Sequence, residues 1–237
     1  MEQIQLGDIT IDVELKAIKH LHLSVYPPTG RVKIAAPLHI DLDTIRVYAI
    51  SKLNWIKKQQ ARLRAQRRET QRDYIPRESH YYKGRRYLLK VIEADAPPHL
   101  KLKHSNLELH LRPGTPHDKR QEILEAWYRE RLKETIPTYI TKWETTLKVG
   151  LNTFGIKKMK TKWGSCNPEA KRIWLNLELA KKPPECLEYI IVHELVHLIE
   201  RKHNAHFITL MDHHLPQWRH LKEELNRMPV GHAEWRY

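Results

Sequence analysis

The run Ile191-Val192-His193-Glu194-Leu195-Val196-His197-Leu198-Ile199 holds the side chains best suited to chemistry. On a helix, His193 and His197 stand four positions apart, about 40° from alignment at about 3.6 residues per turn, so both imidazoles can meet one metal ion. Glu194 follows the first histidine directly. Its carboxylate can reach a water at the ion without being a ligand. That is the H-E-x-x-H arrangement of zinc hydrolases, two imidazole ligands and one general base. The flanks Tyr189, Ile190, Leu195 and Val196 are apolar and predict a buried helix. A buried helix rarely carries two histidines and a glutamate without partners.

Catalytic zinc usually takes three protein ligands and keeps one position for water. The candidates for the third are Glu200, His203, His206, His213 and His214. Glu200 stays near the ligand face if the helix continues. His203 lies six residues beyond His197, about 240° around an unbroken helix, so it can join only if the chain turns first. The polar stretch Arg201-Lys202-His203-Asn204 allows such a turn. His193, His197 and His203 then share the H-E-x-x-H-x5-H spacing of metzincins, but Glu200 stands where those enzymes place glycine.

The rest of the chain must position these groups. Its 237 residues suffice for one substantial core or two small ones. There is no long apolar run for a membrane span. The N-terminus is acidic and lacks the basic and apolar blocks of a signal peptide, and Cys166 and Cys186 cannot make a disulfide framework, so a cytoplasmic location is expected. A formal charge of +14 favours anionic partners. Much of the excess sits in residues 52–72, with eight basic residues against the single acid Glu69.

Alternation predicts strands around Ile9–Leu15, Leu21–Val25 and Arg31–Ile34, with a turn at Pro27-Pro28-Thr29-Gly30. Asp41 or Asp43 caps a long helix to about residue 70, burying Ile45, Ala49, Leu53 and Ile56. A second strand group fills 81–111. Arg112-Pro113-Gly114-Thr115-Pro116 is the clearest break. A helix over about 117–150 follows, burying Ile123, Trp127, Leu132, Ile136 and Ile140, with Pro137 as a kink or interruption. Strands near 157–162 and 173–177, the metal helix after Pro183-Pro184, and a last helix over 204–226 complete the reading. No internal repeat is visible. The fold class is α+β, with an N-terminal strand-rich region and basic helix in residues 1–112. A metallohydrolase portion occupies 113–237, the seam at Pro113 dividing either two domains or one integrated domain.

Three further segments form an ordered set with the motif: Lys162-Trp163-Gly164-Ser165-Cys166, Arg172-Ile173-Trp174-Leu175-Asn176-Leu177-Glu178-Leu179, and Lys202-His203-Asn204-Ala205-His206-Phe207. Together they resemble the YgjP-like metallohydrolase family, which is grouped with the SprT-like zincin metallopeptidases. Trp55-Ile56 and Tyr87-Leu88-Leu89 fit its N-terminal pattern more weakly. The resemblance implies a zincin-like catalytic portion, with zinc on His193, His197 and His203 and Glu194 as base. It also implies that Trp163-Gly164-Ser165-Cys166 packs beside the site. Cys166 is read as a packing residue, since a closed four-ligand site would be structural. His206 is read as lying near the metal without touching it or as a surface residue, and it joins Trp163, Trp174 and Asn176 as a candidate substrate contact.

Three function classes follow. The first is a peptidase, with Arg172–Asn176 as the strand that pairs with an extended peptide, so that Trp174 and Asn176 contact substrate and Trp163 walls the cleft. The second, from the positive charge, is a metal-dependent hydrolase of nucleoside triphosphates or another phosphorylated substrate. The third is a nucleic-acid-binding protein with a structural zinc, gripping phosphates through helix 52–72. Trp55 there stacks on a base or, more simply, joins Ile56 in the core.

Overall fold

The computed structural model describes residues 2–26, 29–65, 72–159 and 162–228. They divide into two compact units, one within Met1–Arg68 and the other within Glu69–Ala233. The architecture is α+β.

In the first unit, β1 (Glu2–Leu6), β2 (Ile9–Lys16), β3 (His22–Tyr26) and β4 (Arg31–Pro37) form a sheet of order β1-β2-β4-β3. The β2–β4 pair is parallel and the two outer pairs are antiparallel. Ile11, Val13, Val32 and Ile34 alternate onto one face, where Ile45, Ala49 and Ile56 meet them. The Asp41 carboxylate accepts from the Thr44 amide at 2.7 Å and starts α1 (Leu42–Ser51). The single helix expected here is two. α1 ends at Lys52, whose amide bonds the Ala49 carbonyl, and α2 (Leu53–Ala65) begins afresh. Residues 66–71 of the expected helix lie outside the described residues. Leu53 is half-buried. Trp55, expected beside Ile56 in the core, is 44% exposed.

In the second unit, β5 (Ser79–Tyr82), β6 (Arg85–Glu93), β7 (His99–Lys103) and β8 (Asn106–Leu111) repeat the same plan. Their order is β5-β6-β8-β7, with β6–β8 parallel and the outer pairs antiparallel. The repeat is one of topology. Leu111 and Leu124 share one core cluster, so the expected boundary at 112/113 falls inside this unit.

Helix α3 (His117–Leu147) runs through Pro137 without ending. Its buried stripe is Leu124, Tyr128, Leu132, Ile136, Ile140, Trp143 and Leu147. Ile123 and Trp127, expected in that stripe, are half-buried beside it. A three-stranded sheet follows: β9 (Thr153–Lys157), β10 (Gly164–Asn167) and β11 (Arg172–Asn176), in the order β10-β11-β9. Of the strand expected at 157–162, only Lys157 belongs to β9, residues 160 and 161 lie outside the described residues, and β10 was not foreseen at all. A 3-10 turn (Leu177–Lys181) leads into α4 (Pro184–Val196). Pro184 at the first helical position suits the helix start, where the missing N–H has no partner to lose. The last helix is broken at Leu215–Gln217 into α5 (Ala205–His214) and α6 (Trp218–Arg227). Among the described residues no helix is long and apolar enough to cross a membrane.

Candidate metal centre

Helix α4 is buried on nearly every side, with Cys186, Leu187, Tyr189, Ile190, Ile191, Val192, Leu195 and Val196 in the main core. Each large apolar side chain so buried contributes about 1.5–3 kcal/mol. That anchoring fixes the rotation of the helix, and with it the direction of His193, Glu194 and His197. Its outer edge is tied to α3, where Trp143 Nε1 and Lys142 Nζ both donate to Glu188, at 2.8 and 2.7 Å.

The helix ends at His197. Three tight backbone bonds, Leu198 to Leu195, Ile199 to Val196 and Glu200 to Val196, close its last turn. Glu200 then builds the turn that follows. Its carboxylate accepts from the Lys202 amide at 2.9 Å, and its carbonyl accepts from His197 Nδ1 at 2.9 Å. Asn204 caps α5 by accepting from the Phe207 amide. This turn returns His203 to the helix end.

Candidate ligand atoms of His193, His197 and His203 all lie within 4.8 Å of one another, and the Nε2 atoms of His193 and His203 stand 3.1 Å apart. Nitrogens sharing one tetrahedral zinc at about 2.0–2.1 Å stand roughly 3.3 Å apart, so the donor set fits that ion. A carbonyl can only accept, so the bond to Glu200 places the His197 proton on Nδ1 and leaves Nε2 with its lone pair free. His193 Nδ1 is buried without a hydrogen-bond partner among the described residues. Burial, then the two neighbouring histidines and Lys222, push His193 down to about 3. Burial, His197 and Lys222 lower His203 as well. Both rings therefore stay neutral and able to donate lone pairs at neutral pH.

Glu194 is 5% exposed, and burial pushes its carboxyl up to about 8 against the opposing charge of Lys162. It lies against β10. A Cβ built on Gly164 would stand 2.5 Å from Glu194 Oε1 and 2.9 Å from Cδ, so only glycine leaves room for this carboxylate. Phe207, 2% exposed, meets all three imidazoles at ring-centroid distances of 5.0, 4.8 and 4.7 Å and forms an apolar wall for the cluster. Sequence reading placed Gly164 beside the site as part of Trp163-Gly164-Ser165-Cys166 and quoted Phe207 in a family segment, but gave neither a role of its own. Gly164 lay inside a quoted motif, and Phe207 lay four residues beyond His203, but neither has chemistry of its own to attract notice.

The other expected residues take different places. Trp163 is half-buried against the core, and Lys182 Nζ stands 5.7 Å from its ring. Cys166 is a free thiol, raised to about 11 by burial and by Glu194. β11 is the central strand of its sheet, paired on both sides, so it has no edge to offer a peptide. Among the described residues the free edge beside α4 is β10. Ile173 and Leu175 point into the core while Trp174 lies on the opposite face, over Gly155. Asn176 is buried, and its side chain is fully engaged. It donates to the Met159 and Lys162 carbonyls and accepts from the Met159 and Glu178 amides. It clamps the segment that leads into Trp163 and Gly164. His206 is exposed on the first turn of α5, and neither it nor Glu200, His213 or His214 joins the converging group. Arg201 pairs with Glu169 at 3.1 Å.

The family described as YgjP-like, metallopeptidase domain, matches residues 19–228. No curated protein matches the chain. Among solved structures, the metallopeptidase zymogen jannalysin of Methanocaldococcus jannaschii is 24% identical, with a TM-score of 0.34 over 38% of this chain and 92% of that one. The metallopeptidase zymogen abylysin of Pyrococcus abyssi is 18% identical, with a TM-score of 0.36 over 40% of this chain and 99% of that one. The nucleotide and nucleic-acid partners expected from charge find no support in these comparisons.

Proposed function

Since the chain belongs to the YgjP-like metallopeptidase family, we propose that it hydrolyses peptide bonds with a zinc ion held by His193, His197 and His203 and with Glu194 as general base. The observation that carries this reading is the convergence of three imidazoles beside one buried carboxylate. A bound zinc supplies Lewis acidity toward the substrate carbonyl and lowers the pKa of water toward about 7. Glu194 accepts the proton of the attacking water and returns it to the leaving nitrogen. Its surroundings suit both halves of that task. Burial favours the protonated form and the charge of Lys162 favours the ionised one, which places the group near neutrality.

His197 is held by the Glu200 carbonyl, so its ring need not reorganise when it donates. Phe207 covers the three imidazoles with an apolar ring. Substrate enters along β10, where an extended chain can add as a further strand next to Gly164. Trp163 then borders the cleft through its position just ahead of that strand.

The test is zinc content and peptide cleavage measured on the same preparations. Wild type should carry one zinc and cleave a peptide library. Glu194→Gln should keep the zinc and lose cleavage, and His203→Ala should lose both. Peptide cleavage by wild type that is indifferent to chelation would overturn the reading, as would an unaltered zinc content in His203→Ala.

A further inference from the structure

The three candidate ligands are held by different means. His193 and His197 ride on α4, whose apolar residues are buried in the main core. His203 comes six residues after His197 and is exposed, so no such burial fixes it. Its place depends on the turn between. That turn starts from the second ligand, where the Glu200 carbonyl accepts from His197 Nδ1 at 2.9 Å. The side chain of the same residue holds the next step, with the carboxylate accepting from the Lys202 amide at 2.9 Å. Asn204 closes the far end, capping α5 by accepting from the Phe207 amide at 3.0 Å. The Phe207 ring then meets His203 at a centroid distance of 4.7 Å.

Metzincins with the same histidine spacing place glycine where Glu200 stands. Glycine is the default residue where the chain must take a positive φ. None of residues 197–207 has a positive φ. The chain therefore reaches its third histidine without left-handed backbone, and a side-chain bond stands where conformational freedom would otherwise serve. A carboxylate accepting from a backbone amide is a charge-assisted hydrogen bond, one of the stronger kinds. It fixes the amide of Lys202, and His203 is the next residue along the chain.

We propose that Glu200 is the positioning residue for the third ligand: its carboxylate sets zinc affinity by holding His203 against the end of α4. This role rests on the metal reading above. Glu200 itself stands outside the converging group of ligand atoms. One residue thus serves two ligands, its carbonyl orienting His197 and its carboxylate fixing the approach of His203.

The test is zinc affinity by chelator competition on full-length variants. Glu200→Ala should bind zinc about 10–100-fold more weakly than wild type, the cost of losing an outer hydrogen-bond partner. Glu200→Gln keeps an acceptor oxygen and should stay within about threefold of wild type. Glu200→Gly should be as weak as Glu200→Ala, since no positive φ is needed there. A residue that merely supports the fold would lower affinity in any background. Glu200→Ala added to His203→Ala should instead change affinity by less than about twofold, because the ligand it positions is already gone. Amide exchange in metal-free wild type gives a readout without zinc. The Lys202 amide should exchange about tenfold more slowly than that of Arg201 after correction for intrinsic rates. Four results would each overturn the proposed role: Glu200→Ala within about threefold of wild type, full affinity in Glu200→Gly, an equal loss on the His203→Ala background, or equal exchange of the two amides. If wild type takes up no zinc, the metal reading itself fails, and amide exchange still decides whether the carboxylate holds the turn.

Discussion

Helices α2 and α4 are each 13 residues long and each carries several ionisable side chains, but they use them in opposite ways. On α2, Lys57, Lys58 and Arg64 are exposed, and among its described side chains only Ile56 is buried. Water screens those charges, and each is free to move. On α4 the ionisable groups His193 and Glu194 are sunk among apolar residues and strongly shifted from their ordinary values. Charge on α2 is abundant and individually replaceable. Charge on α4 is scarce, costly to bury and fixed in direction. The difference teaches where to seek chemistry in a chain of net charge +14: in the few ionisable groups that the fold holds against their solvation preference, and not in the many that it leaves in water.

The contrast predicts a steep ranking of effects. The largest belongs to His203→Ala. With one of three imidazoles gone, zinc affinity should fall by more than the roughly 10–100-fold that loss of an outer hydrogen-bond partner costs. Chelator competition measures it, and a fall of less than tenfold would show that His203 is not a ligand. Next is Glu194→Gln, which should lower kcat by about 10²–10⁴-fold while zinc content stays at the wild-type level. Third is Gly164→Ala. The added methyl would collide with Glu194. Turnover should drop by on the order of 10²-fold through misplacement of the base, with a stability loss of about 1–3 kcal/mol for overpacking. A Gly164→Ala enzyme of normal activity would mean that the carboxylate does not work where the structure holds it.

That third prediction marks where the sequence stopped being readable. His193, Glu194 and His197 were legible because their spacing alone defines a shared direction on a helix. His203 was legible only as a choice among five residues, because it depends on a turn. What makes the turn is the Glu200 carboxylate on the Lys202 amide and the Asn204 cap on α5, bonds that no periodicity encodes. β10 escaped notice since Gly164-Ser165-Cys166-Asn167 has neither alternation nor β-branched residues, and it becomes a strand through pairing with β11. Strand β11 itself was read well, but a sequence does not say which strand of a sheet lies at its edge. Asn176 looked like a substrate contact for the same reason that it proves to be a clamp: a polar residue among apolar ones must find partners, and here all of them are internal. The repeated four-strand plan was invisible because topology constrains only which positions are apolar, and the two sheets fill them with different residues.

A smaller effect concerns pH and the metal-free protein. Glu194 has an ordinary value of 4.5 when exposed and about 8 when folded, so the folded state binds the extra proton between those limits. By linkage, its contribution makes stability fall as pH rises from about 4.5 to 8, reaching about 3 kcal/mol near neutrality as an upper figure. His193 runs the other way. Its folded value of about 3 lies below the ordinary 6.5, so stability falls as pH drops through that interval. Metal-free wild type should therefore melt highest in mildly acidic buffer. Metal-free Glu194→Gln should melt several degrees above wild type at pH 8 and show little difference at pH 5. Equal melting curves of the two proteins at pH 8 would mean that the carboxylate is better solvated than its 5% exposure implies.

The smallest effect is expected on α2, and it tests the other half of the contrast. Lys57→Gln, Lys58→Gln and Arg64→Gln together remove three positive charges from side chains that stand in water. Exposed substitutions of this kind usually change stability by no more than about 0.5 kcal/mol each. Zinc content and peptide turnover should match wild type, since all three side chains stand in water. The measurement that could break the comparison is the salt dependence of turnover on acidic peptides. If α2 only adds to the general field, the triple variant should keep the wild-type salt slope to within about one charge's worth. A triple variant that lost most of the salt dependence would make this helix the place where anionic substrate is recognised, and the division between replaceable and fixed charge would no longer hold.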